Sequence, residues 1–160
     1  MKKWPWFILS VVLILLDQAS KYWALCSLIP YQPEALIPMV NVTLAFNTGA
    51  AFSFLSGAGD WHRWLFTGFS SVMSIVLVVW IIRLPQKAYL QLIALSLILA
   101  GAVGNLVDRI LLGHVIDFID VYYAHYHWPA FNLADSVICA GAFLLLLDMC
   151  LQSKKDGASI

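Results

Sequence analysis

This 160-residue sequence has few charges, since only 11% of its residues are charged. A soluble domain has about a quarter of its residues charged and about half apolar. Here 62% of the residues are hydrophobic, and the mean hydropathy is +0.85. Nine basic residues are balanced by nine acidic ones, so the chain has no positive excess with which to bind nucleic acid. These deficits exclude an ordinary soluble domain and indicate that lipid surrounds the protein.

Cysteine is scarce too, and the three present are Cys26, Cys139 and Cys150. Their odd number and wide spacing fit neither a disulfide framework nor a zinc site, so we interpret them as small apolar packing residues. The alternative is a lipoprotein signal peptide that ends at Cys26. Asp17 and Lys21 interrupt the apolar stretch, however, and Leu25 is too large for such a cleavage site. The first segment is therefore expected to remain in the mature protein.

Four apolar stretches are long enough to cross about 30 Å of hydrocarbon, which takes roughly 20 helical residues. They are residues 4–25, 64–82, 89–111 and 131–151. The flanking basic residues gather on the side that holds both termini and the middle loop: Lys2, Lys3, Arg83, Lys87, Lys154 and Lys155. The positive-inside rule assigns that side to the cytoplasm. The sequence predicts a single membrane α-helical domain over 1–160, with segments 26–63 and 112–130 facing outward.

The two outer segments contain strand patterns. Residues 40–47 alternate apolar and polar side chains, which predicts a strand with one apolar face. Asn47-Thr48-Gly49 is a turn signal, and residues 50–55 are compatible with a returning strand or with a short helix on the membrane surface. Residues 115–121 form a second strand-like run, and the aromatic residues after it are typical of the headgroup level. These segments predict a platform on the outer side.

Polar side chains of three spans lie at a similar depth. Asp17 is roughly 20 Å into the first span at 1.5 Å per residue, and Asp108 comes about 20 residues into the third. The polar residues share helix faces: Asp17 with Lys21, Asn105 with Asp108 and Arg109, and Asn132 with Asp135. A charge within a span costs about 2.5 to 3.5 kcal/mol and usually faces a partner or a wet cavity. Helix-pinning ion pairs and direct substrate contact both fit these groups, whereas the second span looks like scaffold.

Asp117 is the most informative acid, because apolar residues surround it on both sides in the run 115–119. Desolvation in such a place raises the pKa of a carboxyl group. If Asp135 approaches it, the two carboxyls cannot both ionise easily and share one proton. One acid then acts as a general base toward water, and the other acts as a general acid toward a peptide bond.

Five blocks of the chain now match a known family in order: 17–21 (DQASK), 46–52 (FNTGAAF), 104–109 (GNLVDR), 115–118 (VIDF) and 131–136 (FNLADS). With these blocks the chain resembles bacterial lipoprotein signal peptidase, also called signal peptidase II, an aspartic peptidase of the inner membrane. The resemblance runs nearly end to end. Five blocks in order are far more specific than any one of them.

The resemblance implies four transmembrane helices, a small extracytoplasmic β-sheet that cradles the substrate, and a catalytic dyad of Asp117 and Asp135. It implies supporting or substrate-contacting roles for a further set of residues: Asp17, Lys21, Asn47, Asn105, Asp108, Arg109 and Asn132. It also implies that the protein cleaves prolipoproteins before a diacylglyceryl-modified cysteine, works among membrane lipids, needs no cofactor and is the target of the cyclic peptide globomycin.

Other interpretations of the same residues remain open. The acids could belong to a small ion or proton transporter, because intramembrane charges also mark ion pathways, or to a non-catalytic assembly factor. Asn47 could be a simple turn residue, and Asp120 and Asp148 are interpreted as interfacial acids. A metal site is not expected, since the four histidines form no His-Glu-x-x-His pair. The small residues at 100–104 are expected to serve close helix packing.

Overall fold

The computed structural model describes residues 3–49 and 61–157, so the expectation of a strand or surface helix at 50–55 lies outside the described residues. The elements follow in the order α1 (Trp4–Ser27), β1 (Glu34–Ile37), β2 (Val40–Asn47), α2 (Trp61–Arg83), α3 (Tyr89–Leu111), β3 (Val115–Tyr123), β4 (Tyr126–His127) and α4 (Leu133–Gly157). All four helices are long and apolar enough to cross a membrane. The predicted four-helix class with a small sheet is confirmed, and each span lies within a few residues of its predicted bounds.

α3 is the central helix of the bundle. Half of its most apolar window (50%) is buried within the protein, compared with 17% to 22% for the other three helices. It packs on α1, α2 and α4, whereas α2 packs on α3 alone among the described elements. The outer helices therefore present most of their apolar side chains to lipid, as a helix that is hydrophobic all round does in a membrane.

Glycine residues, which have no side chain, allow α3 and α4 to pack closely. A Cβ atom on Gly101 of α3 would collide with the carbonyl oxygen of Ala134 and lie 2.5 Å from Ile138. A Cβ on Gly141 of α4 would lie 2.6 Å from the carbonyl oxygen of Ala94. The expectation that small residues serve helix packing is confirmed, as small residues commonly do between membrane helices.

The end of the bundle that holds residue 3 and the α2–α3 connection is here called the inner end. Lys3 Nζ donates to the carbonyl oxygen of Leu84, 2.6 Å away, which ties the start of α1 to the end of α2. A cluster of leucines and isoleucines fills the space between α2 and α3: Leu77, Ile81, Leu92, Leu95 and Leu99. The inner half is thus held mainly by apolar packing.

The opposite, outer end carries an antiparallel sheet of order β1-β2-β3-β4. Its central pair aligns β2 with β3, so that Ala45 lies opposite Asp117 and Asn41 opposite Asp120. One face packs on the end of α1 in a second apolar cluster: Ala24, Leu28, Leu44, Ile116 and Phe118. This packing fixes the height of β3, and therefore of Asp117, above the helices.

Several details of the sequence interpretation were wrong or incomplete. The short strands β1 and β4 were missed, because neither four nor two residues carry a measurable period. The register of β2 shifts at a bulge between Val42 and Ala45, which breaks the predicted alternation. Asn41, which the alternation put on the polar face, is buried. Asp120 is also buried and accepts hydrogen bonds from Asn41 Nδ2 and His127 Nδ1. The three cysteines are exposed on the protein surface and are not packing residues.

The glycine contacts lead to a first prediction. Gly101→Ala should lower the free energy of unfolding by about 1 to 3 kcal/mol, because the added methyl group meets a backbone carbonyl that cannot rotate away. The measurement is thermal unfolding of the purified protein in detergent. Gly68→Ala on α2 is the matched control, since a Cβ there meets nothing within 4 Å. Equal melting temperatures for the two variants would contradict the close packing of α3 and α4.

Candidate active site

The start of α4 is built around Asn132, the residue just before the helix. Its side-chain Oδ1 accepts from the backbone N–H of Asp135 at 3.0 Å, and its own backbone N–H donates to Asp135 Oδ2 at 3.2 Å. This is the reciprocal arrangement of a capping box, which satisfies N–H groups that have no partner within the helix. The cap therefore holds the Asp135 carboxylate in one orientation.

The same asparagine reaches the second acid. Asn132 is completely buried, and its Nδ2 donates to Asp117 Oδ1 at 2.8 Å. Because Oδ1 of Asn132 is occupied by a backbone donor, the amide can only present its NH₂ group to Asp117. One side chain thus contacts both aspartates, which come from a strand and a helix separated by a loop.

Asn47 holds the other oxygen of Asp117. The turn after β2 places Gly49 at φ +97, and the backbone N–H of Gly49 donates to Asn47 Oδ1 at 2.8 Å. This Asx turn leaves Nδ2 of Asn47 free to donate to Asp117 Oδ2 at 3.0 Å. Asn47 is therefore both a turn residue and a site residue, so the two interpretations of it are not alternatives.

Asn105 of α3 has the equivalent role for Asp135. Its Oδ1 accepts from Lys21 Nζ at 2.9 Å, so its Nδ2 points to Asp135 Oδ1 at 2.8 Å. All four carboxylate oxygens of Asp117 and Asp135 consequently accept a hydrogen bond from an amide N–H. Such donors favour the ionised form of a carboxyl group.

Behind this layer lies a buried ionic network. Lys21 Nζ is 2.9 Å from Asp17 Oδ2, from Asp108 Oδ2 and from Asn105 Oδ1, so each of its three protons has an acceptor. Gln18, which the sequence analysis did not single out, donates to Asp108 Oδ1 at 2.8 Å. The ion-pair interpretation applies to Asp17 and Lys21, and the ion-pair partner of Asp108 is Lys21 of α1.

The network also reaches the helix that carries Asp135. Asp17 Oδ1 accepts from the backbone N–H of Ala134 in the first turn of α4 at 2.8 Å. A carboxylate is favoured there by the partial positive charge of a helix N-terminus. Gly104 makes room for it, because a Cβ at that position would lie 2.6 Å from Asp17 Oδ2. Asp17 thus pins α4 against α1 and α3.

The pKa of Asp117 is raised to about 7. Burial is the main cause, and the negative charge of Asp135 adds to it. The amides of Asn47 and Asn132 and the charge of Lys21 act in the opposite direction. The result is a carboxyl group that can hold or release a proton near neutral pH, as the sequence analysis predicted for desolvation.

A groove of about 370 Å³ opens beside Asp135 between α2, α3 and α4. Its wall is mostly apolar, and the polar residues beside Asp135 are Ser70, Asn105 and Arg109. Arg109 Nη1 lies 3.5 Å from Ser70 Oγ, and the guanidinium carbon lies 5.8 Å from the centre of the Phe66 ring. α2 therefore supplies one wall of the groove, so the interpretation of the second span as scaffold alone was wrong.

Asp135 also lines a second cavity of about 240 Å³, together with Trp128, Phe131, Ser136 and Cys139. The carboxylate thus stands between two spaces, one between the helices and one below the aromatic loop after β4. Trp128, which follows β4, is largely exposed.

Comparison with known proteins agrees with this architecture. A family model described as Signal peptidase (SPase) II matches residues 9–151. A lipoprotein signal peptidase of Acinetobacter baumannii is 49% identical over 150 residues, which cover 94% of this chain and 85% of that protein. The corresponding protein of Shewanella pealeana is 45% identical over 157 residues, with coverage of 98% and 91%. A solved bacterial membrane enzyme, determined by the in meso method, superposes with a TM-score of 0.83 at 32% identity, over 94% of this chain and 90% of that one.

These similarities first define the class, which is that of multi-pass membrane peptidases. More particularly, the chain belongs to the signal peptidase II family, whose model covers most of its length. The family assignment made from five sequence blocks is confirmed.

The buried network leads to a second prediction. Lys21→Met should lower the free energy of unfolding by about 3 to 5 kcal/mol, because it leaves two buried carboxylates without their counter-charge. Lys87→Met, at an exposed position in the α2–α3 connection, should change it little. Thermal unfolding in detergent measures both. A Lys21→Met variant as stable as the Lys87→Met control would show that the ionic network is dispensable.

Proposed function

We propose that this protein is an aspartic endopeptidase that removes the signal peptide from prolipoproteins, with Asp117 and Asp135 as its catalytic pair. The observation that carries the proposal is the single buried asparagine that contacts both carboxylates. Burial and mutual repulsion disfavour two negative charges, whereas the amide donors favour one. The pair then works with one proton between them.

In this mechanism the ionised acid takes a proton from a water molecule, which attacks the carbonyl carbon of the scissile peptide bond. The protonated acid gives its proton to the amide nitrogen as the bond breaks, so the pair holds one proton after the reaction as it did before. The pair is treated as one titrating unit with no fixed assignment of acid and base. No cofactor or metal takes part.

The lining and position of the groove support the proposal that the substrate carries a lipid. It is lined largely by apolar side chains and lies between α2 and α4, which face lipid over much of their length. The relatives are named lipoprotein signal peptidases, and the family resemblance implies cleavage before a diacylglyceryl-modified cysteine and inhibition by globomycin. Arg109 and Asn105 lie next to Asp135 in the groove wall, where they can donate to carbonyl oxygens of the bound chain.

We further infer that both termini lie in the cytoplasm and that the sheet and the acid pair lie near the periplasmic face of the inner membrane. The contact between Lys3 and Leu84 puts residue 3 and the α2–α3 connection at one end, which is the end rich in basic residues. A proton relay would need acids from one face to the other. Within the four described spans, Asp148 is the one acid in the inner half, and it accepts a hydrogen bond from Gln91 Nε2.

The third prediction tests the acid pair directly. Asp117→Asn and Asp135→Asn should each lower the rate of cleavage of a diacylated prolipoprotein by about 10² to 10⁴-fold or more, since each removes a proton-transfer group at nearly constant shape. Asp120→Asn, a buried acid on the same strand, is the matched control and should stay within about threefold of the parent.

The assay uses the purified full-length protein in detergent, with and without a metal chelator. Cleavage by both dyad variants, or loss of cleavage on chelation, would overturn the proposed mechanism.

The fourth prediction concerns the pH profile. Asn47→Ala removes a hydrogen bond that stabilises ionised Asp117, so the pKa of Asp117 should rise from its value of about 7. Activity is lost at high pH when the shared proton leaves, and the alkaline limb of kcat should therefore move upward by about one pH unit. The measurement is kcat between pH 5 and pH 9.5 with Thr48→Ala as the control, since Thr48 is the exposed neighbour. A downward shift would contradict the role of Asn47.

A further inference from the structure

The position of α2 decides how wide the groove is, yet this helix is held from one side only. α2 and α4 provide opposite walls of the groove, while α2 packs on α3 alone among the described elements. At the inner end the apolar cluster and the Lys3 contact hold it. At the outer end, next to Asp135, the contacts of α2 with the described residues include hydrogen bonds to the end of α3.

Arg63, in the first turn of α2, makes two hydrogen bonds to the end of α3. Its Nε donates to the carbonyl oxygen of Arg109 at 3.1 Å, and its Nη2 donates to that of Ile110 at 2.8 Å. The last four carbonyls of a helix have no partner within it and carry partial negative charge. A planar guanidinium group with two parallel donors therefore fits the end of α3 better than a single ammonium group does.

The turn after α3 is shaped to receive this side chain. Gly113 has φ +84, and a Cβ there would lie 3.1 to 3.3 Å from three atoms of the Arg63 guanidinium group. The group therefore lies directly against the backbone of that turn. β3 begins two residues later, at Val115, so the contact also adjoins the strand that carries Asp117.

Phe66, one turn further along the same face of α2, connects this contact to the site. Its ring lies 5.8 Å from the guanidinium carbon of Arg109. The ring also packs against Gly49, because a Cβ atom at that position would lie 2.5 Å from Phe66 Cδ2. Gly49 is the residue whose N–H orients Asn47 toward Asp117. The outer end of α2 thus supports both the groove cation and the turn that holds one dyad acid.

We propose that Arg63 is a positioning residue that clamps the outer end of α2 to the carbonyl end of α3, and so fixes the width of the substrate groove. It acts through Phe66 and Arg109 and does not touch the reacting atoms. The consequence for catalysis rests on the proposed peptidase function, whereas the clamp itself is a statement about helix position.

The kinetic test uses Arg63→Met, Arg63→Lys and Arg83→Met in the full-length protein. Arg83 is the matched control, because it is an arginine at the other end of the same helix. Arg63→Met should raise KM for a diacylated prolipoprotein about tenfold, with kcat changed much less, because the two charge-assisted hydrogen bonds that are lost lie away from the dyad. Arg63→Lys should recover part of this loss, and Arg83→Met should behave like the parent.

A role in folding alone would reduce the active fraction, so that kcat per total protein falls while KM stays constant. That result would overturn the proposal.

A distance measurement separates the clamp from the peptidase function. Spin labels at Leu65→Cys on α2 and Ala140→Cys on α4, both exposed positions, report the gap between the two groove walls in a background where the three native cysteines are replaced by alanine. The distance should lengthen and broaden in Arg63→Met, change less in Arg63→Lys and stay the same in Arg83→Met. An unchanged distance in Arg63→Met refutes the clamp and leaves the proposed function intact. A changed distance together with active dyad variants refutes the function and leaves the clamp.

Discussion

Everything at the outer end depends on Asn132, a neutral side chain that bonds to two acids at once. It caps α4 through the backbone of Asp135 and donates its amide to Asp117. A charged residue in its place would neutralise or repel the pair, and an apolar one would leave buried polar groups without partners. The amide is held in a single orientation by its contact with the backbone N–H of Asp135, so it directs its NH₂ group to the Asp117 carboxyl and adds no charge of its own. The backbone N–H of Asn132 holds the Asp135 carboxyl.

The buried ionic network around Lys21 offsets the free-energy cost of placing charged groups inside a bundle that faces lipid. Lys21 gives all three of its protons to buried acceptors, and Asp17 also binds an N–H at the positive end of α4. Charges that are desolvated are tolerated when each has a partner in good geometry. Gly104 allows α3 to approach Asp17 closely enough for this arrangement. The ionic network therefore serves to place the helix that carries Asp135.

The sequence predicted the helices well, and it singled out polar residues that the structure brings together at the outer end. Long apolar runs with basic flanks leave few alternatives for a membrane protein, and five ordered blocks identified the family before any contact was known. The predictions failed where local pattern carries little information. The two-residue strand β4 is too short to show a period. Asp120 was interpreted as an interfacial acid, but its side chain is buried in the protein. The few hydroxyl groups of α2 did not indicate that this helix lines a groove. Gln18 and Arg63 were passed over because a single polar residue at a helix face or end has many ordinary explanations.

The sequence by itself determined four spans, their common polar depth and the candidates Asp117 and Asp135, because hydrophobic length and the cost of buried charge act on each segment separately. Only the tertiary structure decided which groups pair. Asp108 meets Lys21 of another helix, and each asparagine amide turns toward an acid because a backbone or lysine donor occupies its oxygen. The bonds from the asparagine amides to the two acids, and from Lys21 to Asn105, join residues 15 to more than 80 positions apart. No local period encodes such contacts.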